Sequence, residues 1–206
     1  MSSNNSLPQR RYVVLVSGRG SNLSAILAAS KPGQCAAVIS NRCDAGALDI
    51  ARAQGIATAV VPHQDYVTRD LFDAALADAV DRYVPDLVVL AGFMRILGEQ
   101  FIKRFEGRML NIHPSLLPAF PGVRTHARAL EAGVAVHGCT VHLVTSELDS
   151  GPTIAQATVP VLAGDEVATL AARVLEQEHQ LYPRVVQDWL AGKLDQRLRE
   201  LSSQEC

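Results

Sequence analysis

The chain reads as an α/β protein, a Rossmann-like and mostly parallel sheet with helices on both faces and an antiparallel C-terminal extension. Three observations lead there. Five short apolar runs alternate with helix-patterned segments up to residue 112, the first run ends in a glycine-rich turn that opens a helix, and two long strands then follow one another without a helix. A β-α-β-α order implies right-handed crossovers and parallel strands. Consecutive strands joined without a helix pair antiparallel.

The first strand is Tyr12-Val13-Val14-Leu15-Val16-Ser17, a continuous β-branched run of the kind covered on both faces at the centre of a sheet. Ala36 to Ser40, Thr58 to Val61, Asp86 to Ala91 and Met109 to Ile112 repeat the pattern. Helices are expected at Leu23 to Ala29, Ala45 to Gln54, Thr68 to Tyr83 and about Gly98 to Arg104. In the third, Leu71, Ala74, Ala75, Ala79 and Tyr83 form the inner face, with Asp70, Asp73, Asp78 and Asp81 turned outward. Val136 to Val144 and Thr153 to Val159 are the antiparallel pair. Closing helices are expected from Glu166 to His179 and from Tyr182 to Leu190, separated by Pro183.

One domain accounts for all of this. The 206 residues contain no linker and no repeat, and 48% hydrophobic content is ample for a core. With 19 Lys and Arg against 21 Asp and Glu, the net charge of −2 gives no electrostatic reason to expect nucleic acid or membrane as a partner. No apolar stretch approaches the span of a bilayer. The opening Met1 to Pro8 is polar and lacks a signal pattern, so it is expected to fray, and the protein is expected in the cytoplasm. Cys35, Cys43, Cys139 and Cys206 lack C-x-x-C spacing, which fits reduced thiols.

The first strand runs into Ser17-Gly18-Arg19-Gly20-Ser21-Asn22 and then a helix. Glycines there let backbone N–H groups approach an anion, and the helix N-terminus adds its positive end. Leu23 occupies the third glycine position of a dinucleotide fingerprint, and the second strand ends in Ser40-Asn41 where a ribose-binding acid would stand. A lone phosphate therefore fits better than a dinucleotide. The alternative is a tight turn with Ser21 or Asn22 as the helix cap.

Asn111-Ile112-His113-Pro114 follows an apolar run and is broken at once by prolines, as a strand end meeting a rigid loop would be. Asp149 lies in Ser146-Glu147-Leu148-Asp149-Ser150-Gly151-Pro152, a loop that can return to the same edge. An amide, an imidazole and a carboxylate are the parts needed to hold an oxyanion, move a proton and orient the imidazole. The alternative is a turn in which Asn111 caps the loop and His113 bonds a carbonyl. The other histidines do not suggest a metal. His137 and His142 sit an odd number of positions apart on one strand, and His63, His126 and His179 lack ligand-spaced partners.

Four segments in order carry a resemblance: Val14 to Leu23, Val88-Val89-Leu90-Ala91-Gly92-Phe93-Met94-Arg95-Ile96-Leu97, Leu110-Asn111-Ile112-His113-Pro114-Ser115-Leu116-Leu117-Pro118, and Glu147 to Pro152. From about Arg11 to Leu194 the chain resembles the phosphoribosylglycinamide formyltransferases, folate-dependent enzymes of purine synthesis. Two departures are minor: a short stretch from Ser30 to Cys35, and Arg19 where an uncharged residue is usual.

The resemblance implies formyl transfer from 10-formyltetrahydrofolate, as co-substrate and without a metal, to glycinamide ribonucleotide. It implies a nucleotide or phosphate-binding half at about 11–105, a catalytic and folate-binding half at about 106–194 and small-molecule substrates only, and a monomer or homodimer is expected. Asn111, His113 and Asp149 would be catalytic. Gly20, Ser21 and Asn22 would bind the ribonucleotide phosphate, with Glu178 at its ribose or amine side. Met94, Arg95, Ile96 and Leu97 would line the pterin slot through their backbone, with Asn111 beside them and Arg69 near the acidic folate tail. For Arg69 the alternative is an exposed helix-start residue. A carboxylate beside an imidazole favours its charged form, so Asp149 is expected to support a protonated His113. Ser115 and the cysteines lack an activating base, which disfavours nucleophilic catalysis. Three other functions share features of this chain. Formyltetrahydrofolate deformylase and methionyl-tRNA formyltransferase would each be expected to need a further domain, and a non-catalytic binding module would not need the three catalytic residues.

Overall fold

The structure, a computed structural model, describes residues 9–31 and 33–194. The expectations for Met1 to Pro8 and for Cys206 lie outside the described residues.

Seven strands form one sheet: β1 (Tyr12–Val16), β2 (Cys35–Ser40), β3 (Ala57–Val60), β4 (Leu87–Leu90), β5 (Met109–His113), β6 (Val136–Leu143) and β7 (Thr153–Pro160). Their spatial order is β3-β2-β1-β4-β5-β6-β7. The first five are parallel, and β6 and β7 extend the sheet antiparallel. Every residue of β1 is buried, and alternate residues serve opposite layers. Tyr12, Val14 and Val16 pack with α1 (Ser21–Ala29), α2 (Gly46–Ala53) and α6 (Val167–Leu190). Val13 and Leu15 pack with α3 (Arg69–Asp81) and α4 (Glu99–Arg104). A strand covered on both faces must be apolar on both, which is why the run is continuous rather than alternating.

The strand order reverses between β1 and β4, since the chain leaves β1 toward β2 on one side and returns from β3 to β4 on the other. The C-terminal edge of the sheet at such a reversal is the usual ligand position in open α/β folds. The end of β5 comes out at the same edge.

Three features depart from the sequence reading. α3 buries Phe72, Asp73, Leu76, Ala77, Ala79 and Val80, whereas Leu71 is exposed. Phe72, Leu76, Ala79 and Val80 keep the i, i+4, i+7, i+8 spacing of one stripe, and their greater apolar area outweighs that of the alanine-rich stripe chosen from sequence. Asp73, expected to face outward, falls inside that stripe. Pro183 does not divide the last helix, and α6 runs through it for 24 residues. The lost hydrogen bond is offset by a long apolar face including Leu181, Tyr182, Val185, Val186 and Trp189. The Tyr182 hydroxyl, fully buried, reaches the Leu90 and Leu110 carbonyls at 2.9 Å and ties α6 across β4 and β5. Last, α5 (Thr125–Glu131) was not expected. Its seven residues bury only Thr125 and Ala129, too little to leave a periodic signal.

Candidate active site

Asn111 and His113 are two residues apart on β5 and therefore share a face of the sheet. Across the antiparallel pair, Asn111 stands opposite His142 and His113 opposite Thr140. The loop after His113 is clamped down by Thr140. Its hydroxyl donates to the Ser115 carbonyl at 2.7 Å and accepts from the Leu117 N–H at 3.0 Å, and Gln156 donates to both Thr140 Oγ1 and the Leu117 carbonyl. A clamp of this kind holds the end of β5, and so His113, in one orientation.

Asp149 reaches His113 from the β6–β7 connection. Its Oδ2 lies 3.4 Å from His113 Nδ1 and accepts from the Gly122 N–H at 2.8 Å. The carboxylate thus joins two loops at the imidazole. Asp149 takes φ 53, a left-handed conformation that aspartate tolerates better than most residues. The next turn needs Gly151, because a Cβ there would stand 2.0 Å from the Leu143 carbonyl oxygen. His113 Nε2 lies 3.0 Å from the Phe120 carbonyl. A carboxylate and a carbonyl are both acceptors, so each ring nitrogen of His113 faces one. The two readings left open by the sequence therefore coexist: His113 meets Asp149, and it also bonds a loop carbonyl.

His142 was missed as part of this group. Its Nδ1 donates to the Leu143 carbonyl at 2.8 Å, which leaves Nε2 as an acceptor for the Asn111 amide at 3.1 Å. Burial holds its affinity for a proton below the usual histidine range, more than the Leu143 carbonyl and Asp149 raise it. The 3.8 Å approach of Asp149 Oδ1 to His142 Nε2 is accordingly a contact with a neutral ring and not an ion pair. Alternation along β6 could not find His142, because its role depends on its register against β5. His137 makes different contacts, with His126 Nδ1 at 3.2 Å and the edge of the Phe120 ring. Among the described residues, no group of three or more His, Cys, Asp or Glu is arranged to hold a metal ion.

The loop after β1 turns through Gly20, which has φ 86 and is the residue from which α1 starts. A Cβ on Gly20 would stand 2.8 Å from Ala47, so both the conformation and the close approach require glycine. No side chain caps α1 and no acid lies in its first turn, which overturns the alternative of Ser21 or Asn22 as the cap. The N–H groups of Ser21, Asn22 and Leu23 are left pointing out of the helix start, as an anion site needs. Asn22 turns its amide to Glu178 instead, donating to Oε2 at 2.7 Å, while its own Oδ1 is buried without a partner. Glu178 is buried on α6, and burial raises its proton affinity against the lowering effect of the Asn22 hydrogen bond. It also lies within electrostatic reach of His113.

Met94, Arg95, Ile96 and Leu97 occupy the loop between β4 and α4. Met94 and Ile96 are 78% and 60% exposed and Leu97 is buried. The Arg95 guanidinium lies 5.9 Å from the centre of the Phe72 ring. Arg69, exposed at the start of α3, lines a depression with Asp73 and Gly98 at the end of that loop. A groove of about 410 Å³ runs between α4 and the β6–β7 connection, with Ile102, Leu143 and Ser146 in its wall. None of Met94 to Leu97 lines that groove.

Nucleophilic residues are not activated here. The Ser115 hydroxyl donates to the Ala119 carbonyl at 2.6 Å. Cys35, Cys43 and Cys139 are free thiols, and burial pushes Cys35 and Cys139 up to about 12.

A family model described as formyl transferase matches residues 10–186. The chain is 51% identical to phosphoribosylglycinamide formyltransferase of Escherichia coli (strain K12) over 186 residues, which cover 88% of each chain. It is 46% identical over 181 residues to the human trifunctional purine biosynthetic protein adenosine-3, spanning 86% of this chain but only 18% of that protein. The crystal structure of glycinamide ribonucleotide transformylase 1 from Symbiobacterium toebii superposes with a TM-score of 0.87 at 47% identity, covering 93% of this chain and 94% of the other. The predicted α/β sheet with its antiparallel extension is the fold of that structure, and the chain belongs to the formyl transferase family, among the phosphoribosylglycinamide formyltransferases.

Proposed function

We propose that the chain transfers the formyl group of 10-formyltetrahydrofolate to the amine of glycinamide ribonucleotide, giving formylglycinamide ribonucleotide and tetrahydrofolate in purine synthesis. The observation that carries the reading is the convergence of Asn111, His113 and Asp149 at the sheet edge onto which the uncapped start of α1 also opens.

In this reading the ribonucleotide phosphate lies on the N–H groups from Gly20 to Asn22, and Glu178 meets its ribose or amine side. The pterin lies along the backbone of Met94 to Leu97, near Asn111, with Arg69 toward the folate carboxylates. The substrate amine attacks the formyl carbon, a C–N bond forms, and the carbonyl electron pair moves onto oxygen. An amide nitrogen carries two N–H groups, so Asn111 keeps one for that oxyanion after satisfying His142. The proton on His113 Nε2 reaches the oxyanion by exchanging the Phe120 carbonyl for it, while Asp149 holds Nδ1. The oxygen's electron pair then re-forms the carbonyl as the bond from carbon to the folate nitrogen breaks, the pair of that bond stays on the nitrogen, and a proton from the amine takes the place of the formyl group there. No covalent enzyme intermediate and no metal take part. A cytoplasmic location and a monomeric or homodimeric assembly belong to the same proposal. No described helix is long and apolar enough to cross a membrane.

The test is an assay of 10-formyltetrahydrofolate with and without glycinamide ribonucleotide. Release of tetrahydrofolate only when the ribonucleotide is present is the expected result. Equal release without it would make water the acceptor and overturn the assignment.

A further inference from the structure

Residues 92–98, which join β4 to α4, are held at two points by buried side chains from elsewhere in the fold. The Met94 N–H donates to Ser17 Oγ at 2.8 Å, and the Gly98 N–H donates to Asp73 Oδ2 at 2.6 Å. Between these points, no described residue supplies a hydrogen bond to the backbone of Arg95, Ile96 or Leu97. Their N–H and C=O groups are therefore available to a ligand.

Each holding side chain is itself fixed. Ser17 is buried at the end of β1, and its hydroxyl proton goes to Asn41 Oδ1 at 2.6 Å, which turns an oxygen lone pair toward Met94. The Asn41 amide in turn meets His63 Nδ1 at 3.2 Å. Asp73 is 4% exposed on α3, with one oxygen on Gly98 and the other buried without a partner. Burial raises its proton affinity more than the Gly98 N–H, Arg69 and Arg95 lower it. A carboxylate in such a place costs stability, and an apolar residue would fill the same stripe of α3 at no such cost. Its position explains what it contributes instead. It stands one turn from Arg69 and takes the N–H that immediately follows Leu97, so it joins the helix bearing the proposed tail contact to the end of the proposed slot.

We propose that Ser17 and Asp73 are positioning residues for the folate, pinning the two ends of a backbone-lined slot without touching the ligand themselves. The inference rests on the reading of Met94 to Leu97 as the pterin slot. It also makes Ser17, the residue just before the phosphate loop, a determinant of folate binding.

The test uses full-length Ser17→Ala, Asp73→Ala and Asp73→Asn, with steady-state kinetics for both substrates and amide hydrogen exchange over residues 92–98. Ser17→Ala and Asp73→Ala should each raise the KM for 10-formyltetrahydrofolate about fivefold, the factor corresponding to one lost hydrogen bond, with the ribonucleotide KM unchanged. Exchange should quicken at Met94 in the first variant and at Gly98 in the second. Asp73→Asn keeps an acceptor for Gly98 and should restore the folate KM, which a merely structural loss would not. A folded Ser17→Ala enzyme with a wild-type folate KM, or with both KM values rising together, overturns the inference even if Asp73→Ala fails to fold. In the wild type, tetrahydrofolate should slow exchange at Arg95 to Leu97. If it does not, the slot reading falls and the inference with it, while release of tetrahydrofolate dependent on the ribonucleotide would still uphold the transferase assignment.

Discussion

The Asn111 amide is turned by His142, whose Nε2 accepts its N–H at 3.1 Å because Nδ1 is already donating to the Leu143 carbonyl. An asparagine side chain can present either its oxygen or its nitrogen, and only the nitrogen stabilises an oxyanion. The tautomer of a neutral, buried histidine therefore sets which way round the Asn111 amide lies.

Replacing His142 by Phe keeps the ring volume and removes the acceptor. The kcat of His142→Phe is expected to fall at least about tenfold, as misplacing a group that orients a catalytic one typically does. The KM for the ribonucleotide should stay level, since its proposed phosphate site is at the start of α1. Wild-type kcat in a folded variant would show that Asn111 is oriented by something else.

Asp149→Asn probes the imidazole from the other side. An asparagine retains an oxygen for the Gly122 N–H but has no charge to place against His113 Nδ1, now 3.4 Å from a carboxylate. Activity should drop about a hundredfold or more while the ribonucleotide still binds. Circular dichroism and thermal melting establish that the two loops remain folded. Near wild-type turnover would remove Asp149 from the mechanism.

His137 and His126 share one hydrogen bond at 3.2 Å, an arrangement that needs a lone pair on one of the rings. Burial is the main cause that takes His137 down to about 4, and it lowers His126 as well. A histidine with a lowered folded-state value binds fewer protons folded than unfolded between the two values, so stability rises with pH across that window. The contribution is full above 6.5 and is lost as pH falls toward 4. The melting temperature should therefore decline between pH 6.5 and 4, and His137→Gln should flatten the decline. An unchanged slope in that variant would assign the acid sensitivity to other groups.

The parallel strands were legible because a strand buried on both faces needs an unbroken apolar run, and Tyr12 to Val16 could be little else. The tight turn into α1 was legible because glycines at a strand–helix junction allow the left-handed conformation and the close approach that Gly20 takes. What could not be read depended on partners distant in sequence. His142 acquires its role only from pairing opposite Asn111, a matter of register. Asp73 looked solvent-facing because its hydrogen-bond partner is the backbone of Gly98, 25 residues away. Pro183 read as a break because local rules cannot weigh the apolar face that carries α6 past it.

Glu178 offers a test in which stability and function should move in opposite directions. It is 7% exposed, its carboxylate accepts from Asn22 at 2.7 Å, and burial raises its proton affinity above the ordinary glutamate value of 4.5. A carboxyl group with a raised folded-state value stabilises the fold below its unfolded value and loses that contribution as pH rises through the folded one. At neutral pH the buried charge is therefore a cost to the fold. Glu178→Gln keeps the volume and an oxygen for Asn22 but carries no charge, so its melting temperature at pH 7.5 should exceed that of the wild type. The difference should shrink as pH falls toward 4.5 and the wild-type carboxyl takes up its proton. If the carboxylate meets the substrate as proposed, the same variant should bind the ribonucleotide about tenfold more weakly, since hydrogen bonds to a charged group are stronger than those to a neutral amide. Calorimetric titration with the ribonucleotide, alongside melting curves at several pH values, separates the two effects. A variant that is more stable yet binds with wild-type affinity would leave Glu178 as a partner of Asn22 alone, and one that is less stable at pH 7.5 would show that the charge itself holds α1 to α6.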